Sequence, residues 1–356
     1  MRLPVFPPIA PMLARPVKDL PDGALSFEPK WDGFRAIVFR DGDAVEIRSR
    51  NELPMTRYFP ELVAAIRENL PERCVVDGEI ILVAPAGDRL DFELLQQRIH
   101  PAASRVKMLA EATPARLVAF DLLLLGDVDY MQRPFSERRG ALENALRSSK
   151  PPIHITPATT DRAIAQRWFH QFEGAGLDGV VAKPLAGLYE PDKRVMFKVK
   201  HDRTADCVVA GYRVHKSGSG LIGSLMLGLY GDDGSLAHVG VIGAFSVAER
   251  RSLFEQMQPY VTTFEGHPWD WPSEAAARMQ HTMGSRWGRG KDLSFTPLRP
   301  ELVVEVRYDH MEGRRFRHTA QFVRWRPDRD PRSCTYEQLE VPIMFNLADV
   351  LGVGHA

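Results

Sequence analysis

Short apolar runs and amphipathic segments alternate along roughly the first 200 residues of the chain. Residues 36–39 and 44–47 are rich in apolar side chains and flank Asp41-Gly42-Asp43, a composition typical of the turn between two paired strands. Apolar residues recur at helical spacing in three longer segments, which are residues 58–69, 135–146 and 162–172. The pattern therefore predicts a first region that mixes strands and helices.

Two further apolar runs, residues 74–83 and 117–125, are too short for their period to separate a strand from a helix. Acidic residues interrupt both runs. An ionised carboxylate is costly to bury without a partner, so these acids are candidates for a functional cleft. We expect two buried strands that deliver carboxylates into such a cleft.

The pattern changes after about residue 203 and becomes dominated by strands. Strand-like runs occupy residues 208–214, 224–230, 236–242, 302–308 and 322–326. One amphipathic helix is predicted at residues 246–257. Five strands and one interposed helix match the inventory of an OB-fold β-barrel.

These patterns predict an α+β protein of two domains, in keeping with its length of 356 residues. The first domain, residues 1–203, has antiparallel sheets with flanking helices, and the second, residues 204–330, is the OB-fold domain. A tail of residues 331–356 is expected to pack on one of them. The polar stretch at residues 201–206 is the expected hinge.

Composition places the chain among globular proteins of the cytoplasm. Hydrophobic residues make up 44% of the chain and charged residues 26%. No apolar run approaches the roughly 20 residues that a membrane helix needs, and the first residues lack the apolar core of a signal peptide. The three cysteines are scattered, which argues against a disulfide framework and against a zinc site and fits a reducing compartment.

Charge is balanced overall but unevenly distributed. The chain has 46 basic and 46 acidic residues, which excludes a uniformly basic nucleic-acid-binding protein. Residues 193–216, however, contain seven Lys or Arg against two acids, and residues 311–332 contain seven Arg against three acids. Each stretch is either a solvated charged surface or a local basic face that follows a phosphate backbone.

The strongest chemical signal is Lys30-Trp31-Asp32-Gly33-Phe34-Arg35. A lysine amine can attack the α-phosphate of a nucleoside triphosphate and hold the nucleotide as a phosphoramidate, which divides one difficult transfer into two easier ones. Gly33 allows a tight backbone approach, and Arg35 can bind phosphate or ribose oxygens through its planar fork. By itself the motif also fits a surface turn with a solvated lysine.

Six further short motifs follow Lys30 in order along the chain. They are Ser49-Arg50-Asn51, Asp77-Gly78-Glu79, Phe120-Asp121, Asp178-Gly179-Val180-Val181-Ala182-Lys183, Phe197-Lys198-Val199-Lys200 and Arg324-Trp325-Arg326-Pro327-Asp328-Arg329. The ordered set resembles the covalent nucleotidyltransferase superfamily of DNA ligases, RNA ligases and capping enzymes, and covers most of the chain. It looks most like the compact bacterial ATP-dependent DNA ligases of the LigC type. Pro11-Met12-Leu13-Ala14 and residues 317–328 also resemble those enzymes.

The resemblance implies that the first domain is the adenylation domain, that Lys30 is the catalytic nucleophile, and that ATP is the nucleotide donor with AMP as the covalent intermediate. It implies an ATP- or AMP-binding set of Glu28, Lys30, Arg35, Arg50, Glu79, Phe120, Lys198 and Lys200. Phe120 would stack on adenine. Lys198 and Lys200, at alternate positions of a strand, would both reach the α-phosphate.

The same resemblance implies a divalent cation, Mg²⁺ or Mn²⁺, held by Glu79 and Asp178. Arg324, Arg326 and Asp328 of the last motif would contact pyrophosphate or DNA. Two residues depart from the family pattern. The family usually has Glu where this chain has Asp178 and Lys where this chain has Arg329. The shorter Asp178 would reach a metal directly or through water.

The activity implied is the sealing of nicks between a 5′-phosphate and a 3′-hydroxyl of duplex DNA, in DNA repair. We expect a monomer with nicked DNA as its substrate, repair polymerases as candidate partners, no membrane association and a place at the nucleoid during repair. The alternatives are an RNA ligase, a capping-type guanylyltransferase, or a non-catalytic nucleotide-binding repair scaffold.

Overall fold

A computed structural model describes residues 1–201, 203–270, 294–339 and 345–352. These residues fall into two compact units. The first unit is Met1–Lys200 with Pro342–Ala356, and the second is His201–Val341. The chain thus leaves the first unit after Lys200 and its last segment returns to it.

The first unit contains ten strands and six α-helices among its described residues. The strands are β1 (Leu13–Pro16), β2 (Leu25–Pro29), β3 (Phe34–Asp41), β4 (Ala44–Ser49), β5 (Arg73–Ile81), β6 (Arg116–Leu125), β7 (Val128–Asp129), β8 (Ile153–Ile155), β9 (Val180–Pro184) and β10 (Arg194–Val199). The helices are α1 (Pro60–Asn69), α2 (Phe92–Gln97), α3 (Ala103–Ala112), α4 (Phe135–Ala145), α5 (Arg162–Gln171) and, after the second unit, α7 (Leu347–Val350).

The larger sheet of this unit has the strand order β4-β3-β5-β6-β7, with β8 parallel to β6. Its central strands are apolar on both faces. In β3, Ala36 and Val38 belong to a core shared with α1, whereas Ile37 and Phe39 belong to a core on the opposite face. Burial on both faces explains why β5 and β6 appear in the sequence as continuous apolar runs rather than as alternating ones.

The smaller sheet has the order β1-β10-β9-β2, in which only the β1–β10 pair is parallel. Met196 of β10 and Tyr189 join the core that contains Ile37 and Phe39. One apolar layer therefore holds residues of both sheets, and this arrangement fixes β2, β9 and β10 relative to the strands that carry Asp77, Glu79 and Phe120.

The second unit contains a five-stranded antiparallel sheet, a short hairpin and one helix within its described residues. The elements are β11 (Arg203–His215), β12 (Gly218–Tyr230), β13 (Leu236–Ile242), α6 (Val247–Met257), β14 (Thr296–Tyr308), β15 (Met311–Glu312), β16 (Arg315–Phe316) and β17 (Gln321–Trp325). The strand order is β13-β12-β11-β14-β17. Ser246 and Glu249 form a reciprocal capping box at the start of α6.

The predicted α+β class and the five-stranded, one-helix second domain are confirmed. The described strands form an open ladder rather than a closed barrel, although an isolated bridge joins Ile242 to Ala320, the residue before β17. The predicted hinge was wrong in part, because Arg203 and Asp206 already belong to β11 and pair with β14. Asp202 lies outside the described residues. Across the described ranges, no helix is long and apolar enough to cross a membrane.

Candidate active site

Lys30, Asp178 and Lys200 meet at one end of the smaller sheet. Pro29 and Val199 both pair with Val180 of the central strand β9, so the residues just beyond β2 and β10 lie beside the residues just before β9. The Lys30 amide donates a hydrogen bond to the Gly179 carbonyl, and the Asp178 amide donates one to the Lys30 carbonyl, each at 2.9 Å. Strand register thus brings together residues that are far apart in the sequence.

Two glycines permit the close packing around Lys30. Gly179 has a φ of +123°, and a Cβ at this position would lie 2.0 Å from the Val199 carbonyl oxygen. A Cβ at Gly33 would lie 2.2 Å from the Ile80 carbonyl oxygen. Any side chain at either position would force backbone segments apart. The glycines of the Lys30 and Asp178 motifs therefore serve close approach of the backbone.

The Lys30 amine is held by a carboxylate that it shares with a second lysine. Lys30 Nζ lies 2.5 Å from Asp178 Oδ2, and Lys200 Nζ lies 2.8 Å from the same oxygen. Burial would raise the pKa of Asp178, but the two ammonium groups hold it well below its usual range. Asp178 is thus a carboxylate between two of the predicted nucleotide-binding cations.

Lys198 and Arg50 add to the same positive field. The pKa of Lys198 is lowered by burial and then by the nearby charges of Lys30, Lys200 and Arg50. Lys200 lies one residue beyond the end of β10. Both Lys198 and Lys200 nevertheless face this group of cations. Such a concentration of cations can bind the phosphates of a nucleotide.

Glu79 lies on β5, close to Arg35 and Lys30. Burial raises the pKa of Glu79 to about 8, and the charges of Arg35 and Lys30 oppose the shift only in part. No cluster of three or more potential metal ligands occurs among the described residues. Mg²⁺ commonly uses one or two carboxylates together with phosphate oxygens, so Glu79 and Asp178 have the donor chemistry for a cation that arrives with a nucleotide.

Arg35 is held in a buried network. Its Nε lies 2.5 Å from Asp77 Oδ1, and its NH2 group donates to Asp77 Oδ2 at 2.6 Å. Tyr189 donates to the same Oδ2 at 2.6 Å and accepts a hydrogen bond from the Met12 amide. The guanidinium fork predicted to bind nucleotide oxygens therefore contacts Asp77 here. Sequence reasoning missed Tyr189, because nothing local marks a tyrosine as a partner of a carboxylate 112 residues away.

Glu28 and Phe120 belong to a second buried network. Glu28 contacts Lys183 Nζ at 2.7 Å and Arg139 at 3.4 Å. Burial raises the pKa of Glu28 despite these two cations. Lys183 also donates to the Phe120 carbonyl at 3.0 Å. Lys183 was quoted in a motif without a role and Arg139 was missed; an arginine on an amphipathic helix carries no local signal of a buried partner.

The Phe120 ring, predicted to stack on adenine, is mostly covered. It is 9% exposed, and the Arg35 guanidinium and Lys183 Nζ lie 4.5 and 4.7 Å from the ring centroid. These are cation–π distances. In this structure the ring therefore contacts two cations of the networks described above.

The residues of the last motif lie in the second unit. Arg324, in β17, is 61% exposed and pairs with Glu305 of β14 at 2.6 Å. Arg326 lies just beyond β17 and contacts both carboxylate oxygens of Asp206 at 3.0 and 3.1 Å. It also contacts Asp328 at 2.9 Å. Both arginines of the predicted pyrophosphate or DNA contact lie near Glu305, and Arg326 additionally pairs with Asp206 and Asp328.

Comparison with known proteins identifies the family of the chain. Residues 11–200 match the family model of the ATP dependent DNA ligase domain, and residues 218–329 match that of the ATP dependent DNA ligase C terminal region. The covalent nucleotidyltransferase architecture inferred from the motifs is thus matched in both units.

Similar proteins cover almost the whole chain. DNA ligase C2 of Mycolicibacterium smegmatis is 68% identical over 96% of this chain and 97% of its own length. DNA ligase C of Mycobacterium tuberculosis is 67% identical over 99% of both. Among solved structures, one from a study of Lig E DNA ligases has a TM-score of 0.56 at 19% identity, covering 89% of this chain and all of that chain, and supports the fold. The chain belongs to the family of ATP-dependent DNA ligases, which confirms the predicted LigC-type enzyme.

Proposed function

We propose that this DNA ligase seals nicks in duplex DNA through a covalent Lys30–AMP intermediate. In the first step Lys30 Nζ forms a bond to the α-phosphorus of ATP, and the bond to pyrophosphate breaks. In the second step the 5′-phosphate of the nick takes AMP from Lys30. In the third step the 3′-hydroxyl attacks that phosphate and AMP leaves. The observation that supports this proposal most directly is the position of the Lys30 amine among Asp178, Lys198 and Lys200.

The residues around Lys30 would bind different parts of the nucleotide. Lys198, Lys200 and Arg50 would bind the phosphates, since their positive charges surround the amine. Glu28 and Phe120 would form the base site, stiffened by Lys183 and Arg139.

Arg35 and Glu79 would bind the ribose or the phosphates. For Arg35 this requires the fork to share Asp77 with the nucleotide or to use its remaining donors, because Nε and NH2 already contact that carboxylate.

Mg²⁺ or Mn²⁺ would be held by Glu79 and Asp178. Such a cation neutralises phosphate charge and orients an in-line displacement. At Asp178 such a cation would share the carboxylate with Lys30 and Lys200, whose amines both contact its Oδ2 atom.

Arg324, Arg326 and Asp328 would contact pyrophosphate or DNA from the second unit. We further propose nicked duplex DNA as the substrate, a monomeric enzyme, a role in repair and repair polymerases as partners. The support for these points is the resemblance of the motifs and the basic composition of residues 311–332.

The test is a two-stage labelling assay. The protein is incubated with ATP labelled at the α-phosphate and a divalent cation, and the modified residue is located by peptide mass spectrometry. We expect one AMP on Lys30, transfer of the label to the 5′ end of nicked DNA, and then sealing. Labelling from GTP alone, or sealing of RNA alone, would favour the capping-type or RNA ligase alternatives. No adduct under any condition would favour the scaffold.

A further inference from the structure

The last described segment of the chain, residues 345–352, packs on the first unit. It contains the short helix α7, which begins after Asn346, whose side chain accepts a hydrogen bond from the Ala348 amide at 2.9 Å. The segment lies outside both matched family regions, which end at residues 200 and 329. Nothing in the predicted mechanism uses it.

The contacts of this segment are specific. The Leu347 amide donates to the Asp88 carbonyl at 3.0 Å, and the Phe345 ring lies 5.2 Å from the ring of Phe172. Leu347 and Val350 are nearly fully buried, at 1% and 4% exposed. Burial of such side chains contributes substantially to stability, so the segment is a docked part of the first unit.

The apolar cluster beneath this segment extends to the residues next to Lys30 and Asp178, which form an ion pair. Leu347, Val350 and Leu351 belong to one cluster with Trp31 and Leu177. Trp31 directly follows Lys30, and Leu177 directly precedes Asp178.

The Trp31 side chain is also anchored at its polar end, because its indole N–H donates to Thr156 Oγ1 at 2.8 Å. Tight packing transmits small displacements. The position of the Lys30–Asp178 pair therefore depends on a cluster that the C-terminal segment closes.

We propose that residues 345–352 are a positioning element for Lys30, so that the first step of the reaction depends on the C-terminal segment although none of its residues belongs to the predicted nucleotide-binding set. Leu347 and Val350 are its principal positioning residues. Without them, Trp31 and Leu177 lose packing partners, and the backbone that carries Lys30 and Asp178 gains freedom. This inference rests on the proposed role of Lys30.

The test compares four full-length proteins: the wild type, the double variant Leu347→Ala/Val350→Ala, the conservative variant Leu347→Met/Val350→Ile, and Asp349→Ala, a control at an exposed position of the same helix. Formation of the lysine–AMP bond is measured as a function of ATP concentration, well below the melting temperature of each protein.

We expect the maximal rate of the double variant to fall about tenfold, with little change in the KM for ATP, because a displaced nucleophile affects the chemical step more than nucleotide binding. The conservative and control variants should keep nearly wild-type rates. Sealing of a nick that is already adenylated should be affected less than lysine adenylation, since that step needs no attack by Lys30.

A maximal rate equal to that of the wild type, with only a lower Tm, would overturn the proposal and leave the segment a purely structural role. Lys30→Ala is assayed in parallel, and an AMP adduct on that variant would overturn the role of Lys30 itself.

Discussion

The two units carry their candidate functional cations in different ways. In the first unit, Lys30 and Lys200 come from distant parts of the chain, are mostly buried, and share one oxygen of Asp178. In the second unit, Arg324 and Arg326 lie two residues apart at a sheet edge and pair with carboxylates of that unit. The first arrangement joins two amines through one oxygen of a buried carboxylate, whereas the second lies nearer to solvent, with Arg324 61% exposed, although Arg326 contacts Asp206 from 120 residues away. Substitutions should therefore affect the two regions by different mechanisms and to different extents.

The largest effect is expected for Lys30→Ala. The other lysines described around the site are Lys183 in β9, Lys198 in β10 and Lys200 just beyond β10, none of which lies on the segment that follows β2 and carries Lys30. Loss of the covalent amine should abolish self-adenylation and the sealing of an ordinary nick, while weak sealing of a pre-adenylated nick remains. Lys193→Ala, at an exposed lysine paired with Glu190, is the matched control. ATP-dependent sealing by Lys30→Ala at the wild-type rate would refute the mechanism.

A pair of glycine variants tests the importance of packing in the two units. Gly179→Ala places a methyl group against the Val199 carbonyl and strains a positive φ, so we expect a loss on the order of 3 kcal/mol or more, and loss of adenylation. Gly234→Ala, in a turn of the second unit with φ +73° and no atom near its Cβ, should cost only about 1 kcal/mol from backbone strain. Chemical denaturation measures both. Equal losses would mean that the approach of Gly179 to Val199 is not critical.

The stability of the protein in acid should show that His238, buried in the second unit, is neutral in the folded protein. Burial lowers the pKa of His238 from 6.5 to about 3, and neither ring nitrogen has a hydrogen-bond partner in the described structure. Below pH 6.5 the unfolded chain binds a proton that the folded protein does not, so stability is lost as the pH falls towards 3. Between pH 7 and pH 5 this residue should cost about 2 kcal/mol. His238→Phe should remove that part of the pH dependence.

His154, in the first unit, allows the same measurement of pH-dependent stability. Burial, with the charge of Arg116, lowers the pKa of His154 to about 4. Unfolding curves of the wild type, His238→Phe and His154→Phe, followed at pH 7 and pH 5, separate the two contributions. An unchanged pH dependence in His238→Phe would show that folding does not lower the pKa of His238.

The smallest effects are expected for the two arginines of the last motif. Arg324→Ala and Arg326→Ala should each slow formation of the lysine–AMP bond by about tenfold, more than they slow sealing of a pre-adenylated nick. Only Arg326→Ala should also lower Tm, because it removes a partner from the buried carboxylate of Asp206. Equal losses in both assays would place the arginines on the DNA backbone, with a shallower salt dependence of DNA binding in each variant.

Much of the fold was predictable because local patterns and tertiary structure agree. The hairpin around Gly42 and the helix capped by Ser246 carry turn and capping residues that act within a few positions. The polar residues Arg203 and Asp206 were misassigned to a hinge. Pairing with β14, which lies some hundred residues later in the chain, makes them part of a strand.

The sequence alone determined the class of enzyme and the residues available for chemistry, because residue types in a fixed order identify the family and its nucleophile. Only the tertiary structure decided how those residues meet: that Asp178 binds two lysines, that Tyr189 and Asp77 hold Arg35, and that the C-terminal segment returns to the cluster beside Trp31. The physical reason is that these contacts depend on strand register and shared burial. Both arise between segments that are distant in the sequence, such as those of Lys30 and Asp178, which lie 148 residues apart, and no local pattern records them.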